Sequence, residues 1–167
     1  MKNIVVLTIL ATPMMCAQDS VDQWPTPKTA TEAYDFVQAR RAAARKLWEK
    51  KDRTGIDLLL GTLPYLDQPL VRDLAAGNRY LAARRLNIDM DLSQAYLLQG
   101  EKQKSLDYLK KVAAEANGLA LADYYERNDA FEPLRNDPEF RRVVLELRRY
   151  DSFWLLMPNP SKRSNWQ

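Results

Sequence analysis

Apolar side chains recur at helical spacing along most of this chain, and the clearest instance lies between Leu92 and Gly118. Leu92, Ala95, Tyr96 and Gln99 fall on one side of a first segment, and Leu106, Leu109, Val112 and Ala113 on one side of a second. Between them, Gly100 can adopt the positive φ that closes a helix, and the charged run EKQK starts the next one. The pattern predicts two antiparallel helices joined at Gly100.

Upstream, Glu32 to Lys50 predicts a helix with Ala33, Phe36, Val37, Ala43, Ala44, Leu47 and Trp48 on its apolar side, interrupted by Arg40 and with Thr31 placed to cap it. Arg53 to Leu63 predicts a shorter helix carrying Ile56, Leu59, Leu60 and Leu63, stopped by Pro64 and Pro69. These two make a second hairpin whose turn has no Gly, and Gly61 sits inside its second helix. After Pro69 no proline occurs before Pro133, and Leu74, Leu81, Ile88 and Ala95 follow at steps of seven. That spacing predicts one long helix from Pro69 to Gln99, with Gly77 and Asn87 as weak points and a break near Asn87 as the alternative.

Downstream, LALADYYERN reads as a short helix presenting Leu119, Leu121, Tyr124 and Tyr125. Asp129 and Asp137 are placed to cap successive helical turns, Pro138 stands at a first helical position, and Phe140, Val143, Val144 and Leu147 face inward. Trp154, Leu155, Leu156 and Met157 add an apolar tip, and residues 158–167 have the composition of a disordered tail. At the other end, residues 1–17 have Lys2, an apolar run from Ile4 to Ala11 and the small Ala17, the pattern of a secretory signal peptide. A lipoprotein anchored through Cys16 is the rival. Residues 18–31, with Pro25 and Pro27, read as a linker, leaving residues 32–157 as one helical domain.

The order Leu92, Tyr96, Gly100, Ser105, Leu109, Val112 resembles the tetratricopeptide repeat, with the first hairpin as a divergent copy and the DPEF segment as its closing cap. The resemblance implies an all-α fold of antiparallel hairpins stacked into one right-handed helical-repeat domain, and binding as its work. In such proteins the first helix of each repeat lines the concave face, which carried over would present Asn87, Met90, Gln94 and Leu97. A second resemblance covers LPYLDQPLVRDLAAGNRYLAARRLN, DPEF and RRYDSFW, which are similar to the helical region preceding the catalytic domain in secreted C-terminal-processing serine proteases. The catalytic Ser and Lys of that family belong to the later domain. This likeness therefore implies a non-catalytic module, free-standing or the arm of a protease system.

Composition narrows the chemistry. The chain of 167 residues is sized for one domain, and its formal charge of +3, with Arg alternating with Asp and Glu, lacks the segregated basic face of a nucleic-acid binder. The chain has 0 His, which removes the commonest base and metal ligand, and its 1 Cys lies in the leader. The 5 Gly are dispersed, so no phosphate-cradling loop exists. No cofactor is expected, and an enzyme built on Asp, Glu, Arg and Tyr is a minor alternative. Asp89 and Asp91, two apart on a helix, read as solvated charges. Asn78 and Arg85, and Tyr80 and Asn87, share faces of the predicted long helix and could read a peptide carboxylate or backbone, or else simply pair with acids of neighbouring helices. The reading is an exported bacterial, periplasmic or extracellular protein that binds a protein or peptide, with self-association through the apolar tip as a further option.

Overall fold

A computed structural model describes residues 24–116 and 121–156, the last seven by backbone alone. The leader, residues 18–23 of the linker, Gly118, Leu119, the side chains of the apolar tip and the tail lie outside the described residues. Those described are helical, with no strand. The elements are α1 (Ala30–Trp48), α2 (Thr54–Leu60), α3 (Leu63–Leu66), α4 (Pro69–Ala76), α5 (Arg79–Ala82), α6 (Arg84–Leu98), α7 (Lys102–Glu115), α8 (Ala122–Arg127), a 3₁₀ helix (Asp129–Leu134) and α9 (Pro138–Leu156).

Helix α1 starts two residues before the expected Glu32, because Thr29 and not Thr31 is the cap. The Thr29 hydroxyl accepts from Glu32 N–H at 3.2 Å, while the Glu32 carboxylate accepts from Lys28 N–H at 2.7 Å. Ala43, expected on the apolar side, is exposed. Arg40, which interrupts the stripe, donates from Nε to the Thr62 hydroxyl at 3.0 Å, and its guanidinium lies over the Phe36 ring.

The α1–α2 turn closes without glycine. Lys51 takes φ 60°, its N–H donates to Trp48 C=O at 2.8 Å, and Asp52 N–H donates to Leu47 C=O at 3.1 Å. The α6–α7 turn repeats this arrangement with Gly100 at φ 80°. There Gly100 N–H donates to Leu97 C=O and Glu101 N–H to Tyr96 C=O, both at 2.9 Å. Both are Schellman closures, one on the residue type that suits the left-handed region and one on lysine.

Pro64 does not end the second helix. Gly61 closes α2, and Pro64 occupies the first turn of α3, where its missing N–H costs nothing. The expected continuous helix from Pro69 to Gln99 is three pieces. Gly77 caps α4, and the Asn78 side chain accepts from the N–H groups of Tyr80 and Leu81, both at 3.0 Å, which starts α5 as a separate helix. A further bend falls at Ala83, and Asn87 lies inside unbroken α6. Towards the C-terminus, Asn128 and not Asp129 caps the 3₁₀ turn, whereas Asp137 caps α9 as expected, accepting from Glu139 and Phe140 N–H.

Two apolar clusters share α6. Ile88, Leu92, Ala95 and Tyr96 join a first cluster with Val37, Trp48, Ile56, Leu59 and Tyr65. Leu86 and Leu97 join a second with Leu109, Val112, Tyr125, Phe131, Phe140 and Leu147. Helix α6 packs on α1, α2 and α3 as well as on α7 and the 3₁₀ helix, so it is covered on most sides. Asp89 and Asp91, expected in solvent, are therefore each only 4% exposed. The two hairpin turns meet at one end: Gln99 donates to Lys51 C=O at 2.8 Å, and Arg53 pairs with Glu101 at 2.6 Å.

Candidate ligand-binding face

Aligned on their left-handed residues, Lys51 and Gly100, the two hairpins put Gln38, Arg41 and Arg45 of α1 at the positions of Asn87, Met90 and Gln94 of α6. Helices α1 and α6 pack side by side, so the two sets form one polar surface. Its centre is Asp91, whose carboxylate takes Arg41 Nε at 2.8 Å and an Arg45 guanidinium nitrogen at 3.0 Å. Arg41 also donates to Asn87 C=O at 3.3 Å, fixing the α1 and α6 backbones to each other. Gln38 accepts from Arg84 at 2.7 Å, and the Arg84 guanidinium stacks over the Tyr34 ring at 4.5 Å. Farther along, Gln94 accepts from the exposed Tyr124 hydroxyl at 3.5 Å, which extends the surface onto α8.

The sequence-selected residues divide between this surface and other places. Asn87, Met90 and Gln94 are part-exposed, and the Asn87 side-chain amide has no hydrogen-bond partner among the described residues. Leu97, expected beside them, is in the second apolar cluster. Asn78 spends its side-chain oxygen on capping α5. Arg85 pairs with Asp67, away from Asp91, in the manner of the stack-cementing alternative. The shared face inferred for Asn78 and Arg85 required one continuous helix, and the break at Gly77 and Asn78 removes it. Tyr80 is exposed, with the Arg79 guanidinium over its ring.

Gln38, Arg41 and Arg45 are the members that sequence reasoning missed, whereas Arg84 belongs to the polar run from Gly77 to Asn87 that the sequence offered. The usable signal was the register of the first hairpin, hidden because a lysine occupies the position where glycine marks a turn.

Charge is distributed unevenly around α6. Arg41 and Arg45 neutralise Asp91, and with Arg84 they leave the surface net cationic. Asp89 points away from this surface, and its carboxylate has no hydrogen-bond donor or ion-pair partner among the described residues. Burial raises its pKa to about 6, with Glu115 adding to the rise and Lys111 and Arg85 opposing it. The Tyr125 hydroxyl, buried without a partner among the described residues, is pushed well above its ordinary value by burial. Among the described residues no three carboxylates, histidines or cysteines gather as a metal site, and no helix is long and apolar enough to cross a membrane.

No family model matches this sequence, and neither curated proteins nor solved structures provide a match.

Proposed function

We propose that this chain is an exported, non-catalytic binding module of tetratricopeptide type that holds an acidic peptide segment of a partner protein across the surface of α1 and α6. The observation carrying the proposal is the register of the two hairpins. Closed by the same motif and joined turn to turn, they bring Gln38, Arg41 and Arg45 beside Asn87, Met90 and Gln94. Two first helices side by side, lining one face, is the arrangement by which repeat proteins of this kind read extended segments. Residues 63–82, which form α3 to α5, enter between the hairpins as an insertion and add the exposed Tyr80 at the edge, next to Arg84 at the start of α6.

The chemistry suits an extended acidic ligand. Asn87 and Gln94 carry amides that can pair with a peptide backbone, donating and accepting at once. Arg45, half-exposed on the rim of the Asp91 pair, and Arg84 offer guanidinium groups to carboxylates. Met90 supplies an adaptable apolar contact between them.

The test is affinity capture by the full chain from an extract of its own source. Arg45→Glu and Gln94→Ala are compared with Arg85→Ala, which lies off this face. A partner retained by the native chain and by Arg85→Ala, but released by the two face variants, supports the reading, and its identity separates a protease arm from a scaffold. A retained set identical for all four chains rules this face out.

A further inference from the structure

The C-terminal part of the described residues forms a cleft of about 370 Å³ lined by Glu126 of α8, Arg135 after the 3₁₀ helix, and Phe140, Arg141, Val144 and Leu145 of α9. Its floor is apolar. Phe140 and Val144 are almost fully buried members of the second cluster, whereas Leu145 stands 60% exposed at the lip. An exposed leucine beside a concave surface is out of keeping with the outer face of α9, which otherwise carries Arg141, Arg142, Glu146, Arg148 and Arg149.

The polar groups of the cleft do not balance. Glu126 is matched by Arg148, which pairs with it across α8 and α9. Arg135 reaches only the almost fully exposed carboxylate of Asp129, at 3.3 Å, and its Nε is buried with no acceptor among the described residues. Arg141 donates to Arg135 C=O and to the Asn136 side chain, each at 2.9 Å, and has no carboxylate partner among the described residues. One guanidinium is thus held in place by neutral acceptors, and another carries a buried donor with nothing to receive it. A donor left unmet in a protein interior is costly, so the local arrangement favours an added acceptor.

We infer that this cleft binds an organic carboxylate carried on an apolar stem, the carboxylate meeting Arg135 and Arg141 and the stem lying on Phe140, Val144 and Leu145. The volume sits at the small end of ligand sites and takes a chain of roughly ten carbons. Two sources share this chemistry: a free aliphatic acid, and the C-terminus of a peptide ending in an apolar residue. Electrostatic complementarity selects the anion over a neutral or cationic amphiphile, since the only carboxylate in the lining already has its own arginine.

The experiment is calorimetric titration of the full chain below micelle-forming concentrations, with decanoate, decanol and decylamine in one arm. The second arm uses a short peptide ending in leucine, with a free or an amidated C-terminus. Decanoate or the free-acid peptide should bind, and whichever does so names the source, while decanol, decylamine and the amidated peptide should bind at least tenfold more weakly. Arg141→Gln should weaken binding by about tenfold or more, the usual scale for a charge-assisted contact. Because Arg141 also braces the turn before α9, Leu145→Glu is the second variant. It changes an exposed side chain, should leave the circular dichroism spectrum unaltered, and places a repelling carboxylate at the lip. Equal binding of decanol and decanoate, undiminished binding by both variants, or no binding of either carboxylate overturns the inference.

Discussion

The two hairpins share one closing motif, yet their interiors are built differently. In the first, α2 approaches α1 so closely that Gly55 lies against the α1 backbone: a β-carbon there would sit 2.6 Å from Ala44 C=O and 2.7 Å from Trp48 N. In the second, the contact is polar, with the Ser93 hydroxyl donating to Ser105 C=O at 3.0 Å deep in the interior. The first hairpin meets α6 through Asp91 and its two arginines, whereas Asp89, lying between α6 and α7, has no partner in contact. Close backbone packing and matched charge thus hold one side of α6. The other side carries an unmatched carboxylate, whose burial is a cost to the fold that no counter-charge in contact offsets.

The largest expected effect breaks the first hairpin. Gly55→Ala forces the α1 and α2 backbones apart, which should destabilise the fold by about 3 kcal/mol. Gly77→Ala, with open space around the position, should leave stability within about 0.5 kcal/mol. Urea midpoints of the two variants measure the difference, and equal midpoints would contradict the close approach.

The two buried carboxylates should respond in opposite directions. Asp91→Asn leaves Arg41 buried against α6 without a counter-charge and should cost about 2–3 kcal/mol near neutral pH. Asp89→Asn should instead stabilise by about 1–2 kcal/mol at pH 8, allowing for solvent screening. Its sign follows from linkage. The folded carboxyl ionises near 6 and the unfolded one near 3.8, so the penalty is absent below the lower value, grows between the two and is complete above the upper. Unfolding free energies at pH 4 and pH 8 should show the Asp89→Asn gain only at the higher pH. A gain of equal size at both would place its cause outside ionisation.

The smallest effect compares the turns. Lys51→Gly relieves a left-handed lysine and should stabilise by about 0.5–1 kcal/mol, whereas Gly100→Ala should lose about 1 kcal/mol at the equivalent position. Thermal midpoints moving the same way for both would refute the shared closure.

The hairpin from Leu92 to Ala116 was legible in the sequence, because Gly100 marks its turn and the apolar residues on each side keep helical spacing. The first hairpin was legible as two helices but not in register, since Lys51 gives no local sign of a positive φ. The part of the proposed ligand face on α6 could be named, while Gln38, Arg41 and Arg45 could not, because their relation to Asn87 and Gln94 depends on how one hairpin lies on the other. Steps of seven from Leu74 to Ala95 suggested a single helix. The Asn78 side chain overrode them by satisfying two backbone donors at a new helix start, a competition that spacing alone does not weigh.

By itself the sequence determined the helical class, the second hairpin and the Asp137 cap on α9, all of which rest on interactions within a few residues of chain. Only the tertiary structure decided that α6 is enclosed on most sides. That enclosure turned Asp89 and Asp91 from surface charges into one strained and one paired buried carboxylate, and moved Leu97 from the expected ligand face into the core. The physical reason is that local spacing sets which residues share a side of a helix, whereas the number of sides covered depends on segments distant in the chain, here α1 and α2 on one flank and α7 on the other.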